Sequence, residues 1–141
     1  MSEIDYQDVS VIFPASGKSP EVVALEKINL KLEAGELVVV IGRSGCGKTT
    51  LLNLLAGFLA PHSGQVLMDG QGIKGPGVER GVVFQKNALM PWLNVRENVE
   101  LGLKFQGLSA AERKRRAAEC LSWVHLEEFG EHRIYELSGG M

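Results

Sequence analysis

Gly42-Arg43-Ser44-Gly45-Cys46-Gly47-Lys48-Thr49, followed by Thr50, satisfies G-x-x-x-x-G-K-[ST] and carries the residue types in this chain best suited to chemistry. The glycines let successive backbone N–H groups turn toward one centre. A helix beginning at the lysine adds its partial positive charge, so the segment is a receptor for polyphosphate. Lys48 is placed to reach the β- and γ-phosphates, and Thr49 offers a hydroxyl to the Mg²⁺ that accompanies nucleoside triphosphates such as ATP. Cys46 is read as a small residue filling the loop rather than as a reactive thiol at a helix N-terminus. A partial echo at Gly17-Lys18-Ser19 fails, because Ile12 stands where the first glycine belongs and no helical pattern follows.

Such a loop works only between a strand and a helix. Leu37-Val38-Val39-Val40-Ile41 is a continuous apolar run, as expected of a strand covered on both faces in a parallel sheet. On the other side, Leu51, Leu55 and Phe58, widened by Leu52 and Leu54, give a buried helix over Lys48–Ala56, ended by Gly57 and Pro61. Further strands are expected at residues 9–13, 28–32, 65–68 and 81–84, with turns at Gly35, Asp69-Gly70 and Gly75-Pro76-Gly77. Beyond Gln85 the pattern is helical. Asn94 with Glu97 and Ser109 with Glu112 are capping-box pairs. They open one helix with Val95, Val99 and Leu103 on one face, and a second reaching about His125 with Ala117, Leu121 and Val124 inward. Arg113 to Arg116 mostly fall on the outer, solvated face.

The 141 residues, 45% hydrophobic and 23% charged, suit a soluble domain with its own core. Fifteen basic against seventeen acidic residues leave a net charge of −2, which argues against nucleic acid as a partner. No apolar stretch approaches the roughly 18 residues of a membrane span, and the N-terminus lacks a basic-then-apolar leader. Two cysteines, Cys46 and Cys120, make no disulfide framework and suit a reducing compartment, so a cytoplasmic location is expected. His62, His125 and His132 have no metal-ligand spacing with them. The chain stops at Leu137-Ser138-Gly139-Gly140-Met141, a turn-like sequence with nothing after it to pack, which suggests truncation.

The loop at Gly42, the Phe84-Gln85 step after a strand, and Leu137-Ser138-Gly139-Gly140-Met141 occur in the order and approximate spacing that resemble an ABC-transporter ATPase. Gly75-Pro76-Gly77, Glu79-Arg80-Gly81-Val82-Val83-Phe84-Gln85 and Leu89-Met90-Pro91-Trp92 look like the taurine, nitrate and sulfonate importer branch. The resemblance implies an α/β P-loop core with an antiparallel β subdomain and a helical subdomain. One partial ATP-binding domain over 1–141 divides into a β subdomain and P-loop core (1–85) and a Q-loop and helical subdomain (86–141), the latter half of the catalytic core being missing.

It also implies an ATP-hydrolysing subunit that works as a homodimer beneath transmembrane permease subunits, peripheral on the inner face of the plasma membrane, with a separate solute-binding protein. Leu137 to Met141 become the signature motif, which acts on the partner's ATP. Taken alone they are only a turn, but the Ser138 hydroxyl and the bare amides of Gly139 and Gly140 suit a γ-phosphate. Gln85 becomes the Q-loop glutamine, near Mg²⁺ and the attacking water. Phe13 is the candidate for stacking on adenine, with Tyr6 as a less well-placed competitor. Leu89 to Trp92 form a loop that either meets a protein partner or is locally buried.

The family's Walker B aspartate, catalytic glutamate and switch histidine lie after the signature, where this sequence has ended. The resemblance therefore implies that the 141 residues alone bind ATP weakly, hydrolyse it negligibly and expose apolar sheet edges, so that a truncated, non-hydrolysing nucleotide-binding fragment is the alternative reading.

Overall fold

The computed structural model describes residues 2–17, 20–84 and 88–141. Two compact units divide the chain, Met1–Val83 and Phe84–Met141.

The first unit is built on an antiparallel sheet of β1 (Ile4–Phe13), β2 (Val22–Leu32), β3 (Ser63–Met68) and the short β4 (Gln71–Gly72), in the order β2-β1-β3-β4. Both long strands begin earlier than their alternation suggests. Ile4 and Tyr6 point into the core, and so do Val9 and Val11, which lie in the opposite phase. Asp8, at φ 48, and a register shift between Tyr6 and Val9 absorb the extra residue. Lys27, at φ 46, marks a matching irregularity in β2. Bulges of this kind flip the facing of every later residue, and so hide a strand from a period-2 reading.

Helix α1 (Lys48–Ala56) packs Leu54, 1% exposed, into the cluster formed by Ile4, Tyr6, Val9, Val11, Leu25 and Val66. Leu51 and Leu55 flank it, whereas Leu52 and Phe58 are largely exposed. Gly57, at φ 78, ends the helix by donating its N–H to the Asn53 and Leu54 carbonyls.

The apolar runs at 37–41 and 81–84 are not strands. Neither run lies in a strand of the described residues, and Leu37, Ile41 and Val83 are 89%, 90% and 99% exposed. A run buried on both faces of a parallel sheet needs a strand at each edge and cover on each face, and the described residues supply neither. A cavity of about 640 Å³, lined by Tyr6, Leu32, Leu37, Val40, Leu51 and Leu55 among others, lies beside the first run.

In the second unit α2 (Val95–Phe105) packs on α3 (Ala110–Trp123), and short 3₁₀ turns follow at Glu127–Phe129 and Ile134–Glu136. Asn94 and Glu97 form the full reciprocal capping box. Ser109 forms half of one, accepting from the Glu112 N–H, because the Glu112 carboxylate is taken by Arg115 and Arg116. Ala117 and Leu121 are buried as expected. Val124 is not: the helix stops at Trp123, and Val124 is 60% exposed. Among the described residues no helix is long and apolar enough to cross a membrane.

Candidate functional site

The loop from Gly42 to Gly47 makes a tight bend that leads into α1. Gly45 and Gly47 take φ of 80 and 94, and Gly47 is the N-cap of α1. A Cβ on Gly47 would lie 2.6 Å from the Ala24 carbonyl oxygen and 2.9 Å from Leu25 Cδ2, so the loop is seated directly against β2. At Gly42 a Cβ would come within 2.6 Å of Cys46 Sγ, so the exposed thiol fills the inside of the bend.

No side chain caps α1, and its first turn holds no acidic residue. The amides of its first turn have no carbonyl one turn back, and the helix dipole adds positive character there. Lys48 lies across the loop. Its Nζ donates to the Gly42 and Arg43 carbonyls, both at 2.7 Å, and stands 3.6 Å from Cys46 Sγ. An ammonium has three donors and no acceptor, so the two loop carbonyls take two of its donors and fix it across the bend. Arg43, Ser44 and Thr49 are exposed, and Thr50 is half-buried.

Thr49 can offer only a hydroxyl to a metal. Among the described residues no group of three or more His, Cys, Asp or Glu is arranged to hold one, so a divalent ion here would depend on phosphate oxygens. Gln85, the other residue expected near the metal, lies outside the described residues, as do Lys18 and Ser19 of the upstream echo.

Phe13 ends β1 opposite Val22 and is 43% exposed, so its ring is accessible. Tyr6 is not a competitor for a ligand. It is buried, its hydroxyl donates to the Leu51 carbonyl at 3.0 Å, and burial pushes its pKa up to about 12.

In the second unit, Leu137 to Met141 form a turn closed by the Met141 N–H on the Ser138 carbonyl at 3.0 Å. A Cβ on Gly139 or Gly140 would meet nothing within 4 Å. Nothing in this unit's own packing therefore requires glycine at either position.

The loop at 89–93 has an anchor that the sequence reading missed. Asn98 Oδ1 accepts from the Met90 N–H at 2.7 Å, and its amide nitrogen donates to the carbonyls of Met90, Leu93 and Asn94. Arg133 adds a bond to the Trp92 carbonyl at 3.0 Å. The only signal was a polar residue one turn into a helix. The loop thus fixed keeps Leu89 and Trp92 largely exposed. Beside it Arg96 bonds Glu131 at 2.8 Å and Glu100 at 2.5 Å, which raises the arginine pKa and lowers that of Glu131.

The family model described as ABC transporter matches residues 25–141. The chain belongs to the ABC transporter family. Among relatives, the taurine import ATP-binding protein TauB of Sinorhizobium fredii (strain NBRC 101917 / NGR234) is 51% identical over all of this chain and 53% of its own length. TauB of Pseudomonas aeruginosa (strain UCBPP-PA14) is 50% identical over 99% of this chain and 52% of its own length. The chain thus spans about half the length of the curated relatives it matches. A solved dimeric structure of the ATP-binding cassette MJ0796, in a post-hydrolysis state bound to ADP and Pi, superposes with a TM-score of 0.83 at 34% identity, covering 97% of this chain and 64% of that one. The ABC transporter cassette fold therefore accounts for the antiparallel sheet, the P-loop helix and the helical unit together.

Proposed function

We propose that this chain is the nucleotide-binding part of a subunit that hydrolyses ATP to energise an importer of small anions, taurine and related sulfonates or nitrate. One observation carries the reading: an uncapped helix N-terminus free of acidic side chains, fronted by a glycine bend and by Lys48. The amides of Gly45 to Thr50 would take the phosphate tail, and Lys48 would exchange its two loop carbonyls for phosphate oxygens. Thr49, with Gln85, would hold Mg²⁺, which when bound neutralises phosphate charge. Phe13 would stack on the base.

The glycines at 139 and 140, which their own surroundings do not demand, fit a surface meant for an outside group. On this reading Leu137, Ser138, Gly139, Gly140 and Met141 face the nucleotide of a second copy, so two copies close around two ATP molecules and reopen after phosphate leaves. Leu89 and Trp92, exposed on a braced loop that follows Gln85 in the sequence, suit contact with permease subunits on the cytoplasmic face of the membrane. A separate solute-binding protein would choose the anion, and the relatives' names supply taurine as the leading candidate.

A second reading, a nucleotide-binding fragment that does not hydrolyse, is favoured for these 141 residues alone by the exposed apolar residues at 37–41 and 82–83. Further strands of a complete cassette would add there. Phosphate release separates the two: the isolated chain should match its Lys48→Ala variant, whereas a complete cassette should exceed its own. Hydrolysis by the isolated chain above that control would discard the second reading.

A further inference from the structure

Tyr6 stands on β1, 2% exposed, in the core cluster with Ile4, Val9, Val11, Leu25, Leu54 and Val66. Its hydroxyl crosses from the sheet to α1 and donates to the Leu51 carbonyl at 3.0 Å. Taking a hydroxyl out of water into aliphatic surroundings costs free energy that one neutral hydrogen bond repays with little surplus. Phenylalanine would fill nearly the same space with no polar group to satisfy. What the hydroxyl adds is direction.

The bond lands on the turn that forms the phosphate site. Leu51 donates its own N–H to the Gly47 carbonyl at 2.9 Å, so the residue that Tyr6 holds also closes the first turn of α1. At the start of that turn Gly47 rests on β2, against the Ala24 carbonyl and Leu25. The turn from Gly47 to Leu51 is therefore mounted at two points, on β2 through a backbone contact and on β1 through the phenol. Between them lie the amides of Lys48, Thr49 and Thr50, at a helix end that no side chain caps. Leu54 is buried in the same core, 1% exposed, but apolar burial is non-directional: it sets how deep the helix sits rather than which way its amides face. A hydrogen bond weakens steeply when bent, so the phenol fixes the rotation of this nine-residue helix about its axis.

We infer that Tyr6 is a positioning residue for the phosphate site: its hydroxyl sets the rotation of α1, and so where the first-turn amides point, without touching the ligand. This rests on the nucleotide-binding reading above. With the hydroxyl removed, the folded chain divides its time among several rotations of α1. Only the fraction aligned with the phosphates binds, and affinity falls by that fraction.

The test is titration calorimetry of the 141-residue chain with Mg–ATP, in the parent, Tyr6→Phe, Tyr6→Met, Asn29→Ala and Lys48→Ala, each under conditions where circular dichroism shows it fully folded. Asn29→Ala removes the two bonds between Asn29 and Asp8 that join β2 to β1, at 2.9 and 2.8 Å, and so costs stability without reaching α1. Tyr6→Phe should weaken Mg–ATP binding by at least about threefold, and Asn29→Ala should bind as the parent does. A hydroxyl of merely structural use would lower stability and leave the affinity of the folded chain alone. A smaller loss in Tyr6→Phe therefore overturns the positioning role while leaving nucleotide binding intact. An equal loss in Asn29→Ala overturns it too, by tracing the effect to general destabilisation. If Tyr6→Phe does not fold, Tyr6→Met, with an adaptable side chain and no hydroxyl, decides by the same comparison. A parent that gives no heat, with Lys48→Ala no different, brings down the nucleotide reading and the positioning role with it.

Discussion

Replacing Gly47 by alanine should be among the costliest single-methyl changes in the first unit. At φ 94 any L-residue carries the left-handed penalty of about 1–2 kcal/mol. The added Cβ also meets the Ala24 carbonyl oxygen at 2.6 Å and Leu25 Cδ2 at 2.9 Å, and relieving contact with a backbone oxygen and a core leucine adds about 1–3 kcal/mol of overpacking. Gly45 isolates the first term, since its φ is 80 but a Cβ there meets nothing within 4 Å. Urea denaturation followed by far-ultraviolet circular dichroism should therefore order the variants parent, Gly45→Ala, Gly47→Ala, with a gap of about 1–3 kcal/mol between the two substitutions at constant m. Gly139→Ala and Gly140→Ala, with neither positive φ nor neighbours, should fall within about 0.5 kcal/mol of the parent. Equal destabilisation by Gly45→Ala and Gly47→Ala would mean that the loop does not rest on β2, and the geometric basis of the site would fail.

Tyr6→Phe should cost about 0.5–1.5 kcal/mol through the lost bond to Leu51. Because burial raises the folded pKa of Tyr6 to about 12 from 10.0, its neutral form contributes stability fully present below pH 10 and lost as pH rises through 12; alkaline unfolding curves of Tyr6→Phe should lack that component. Asn98→Ala should destabilise the second unit by about 2–3 kcal/mol, since it leaves the Met90 N–H and several carbonyls without their partner, and Trp92 emission in a Trp123→Phe background should report the freed loop. The hydrogen bonds from Arg115 and Arg116 lower the Glu112 pKa from 4.5 to about 2, so its contribution is present above pH 4.5 and fades as pH falls toward 2. Acid titration of helical circular dichroism should show that fall in the parent and a flatter profile in Glu112→Gln.

What the sequence disclosed depended on how local the cause was. The P-loop, its helix and the Gly57 cap follow from neighbouring residues alone, as do the Asn94 and Ser109 caps, and each stands where its residues place it. Strands fared differently, because pairing is not local. The bulges at Asp8 and Lys27 broke the alternation of β1 and β2, hiding half of each. The runs at 37–41 and 81–83 have the composition of buried strands but lie in no strand of the described residues, because composition alone does not decide pairing. Tyr6 and Phe13 were alike as aromatics on one strand until burial and the bond to Leu51 separated them. Asn98 acts through carbonyls in a loop several residues away, a relation that no spacing rule encodes.

The central claim is that the bend before α1, with Lys48 across its mouth, grips the tail of a nucleoside triphosphate. Titration calorimetry of the folded chain with Mg–ATP tests it most directly. Saturable heat that is lost or strongly weakened in Lys48→Ala, with the variant's fold intact by circular dichroism, is the expected result. A folded parent that gives no heat, or a Lys48→Ala variant that binds as well as the parent, would contradict it.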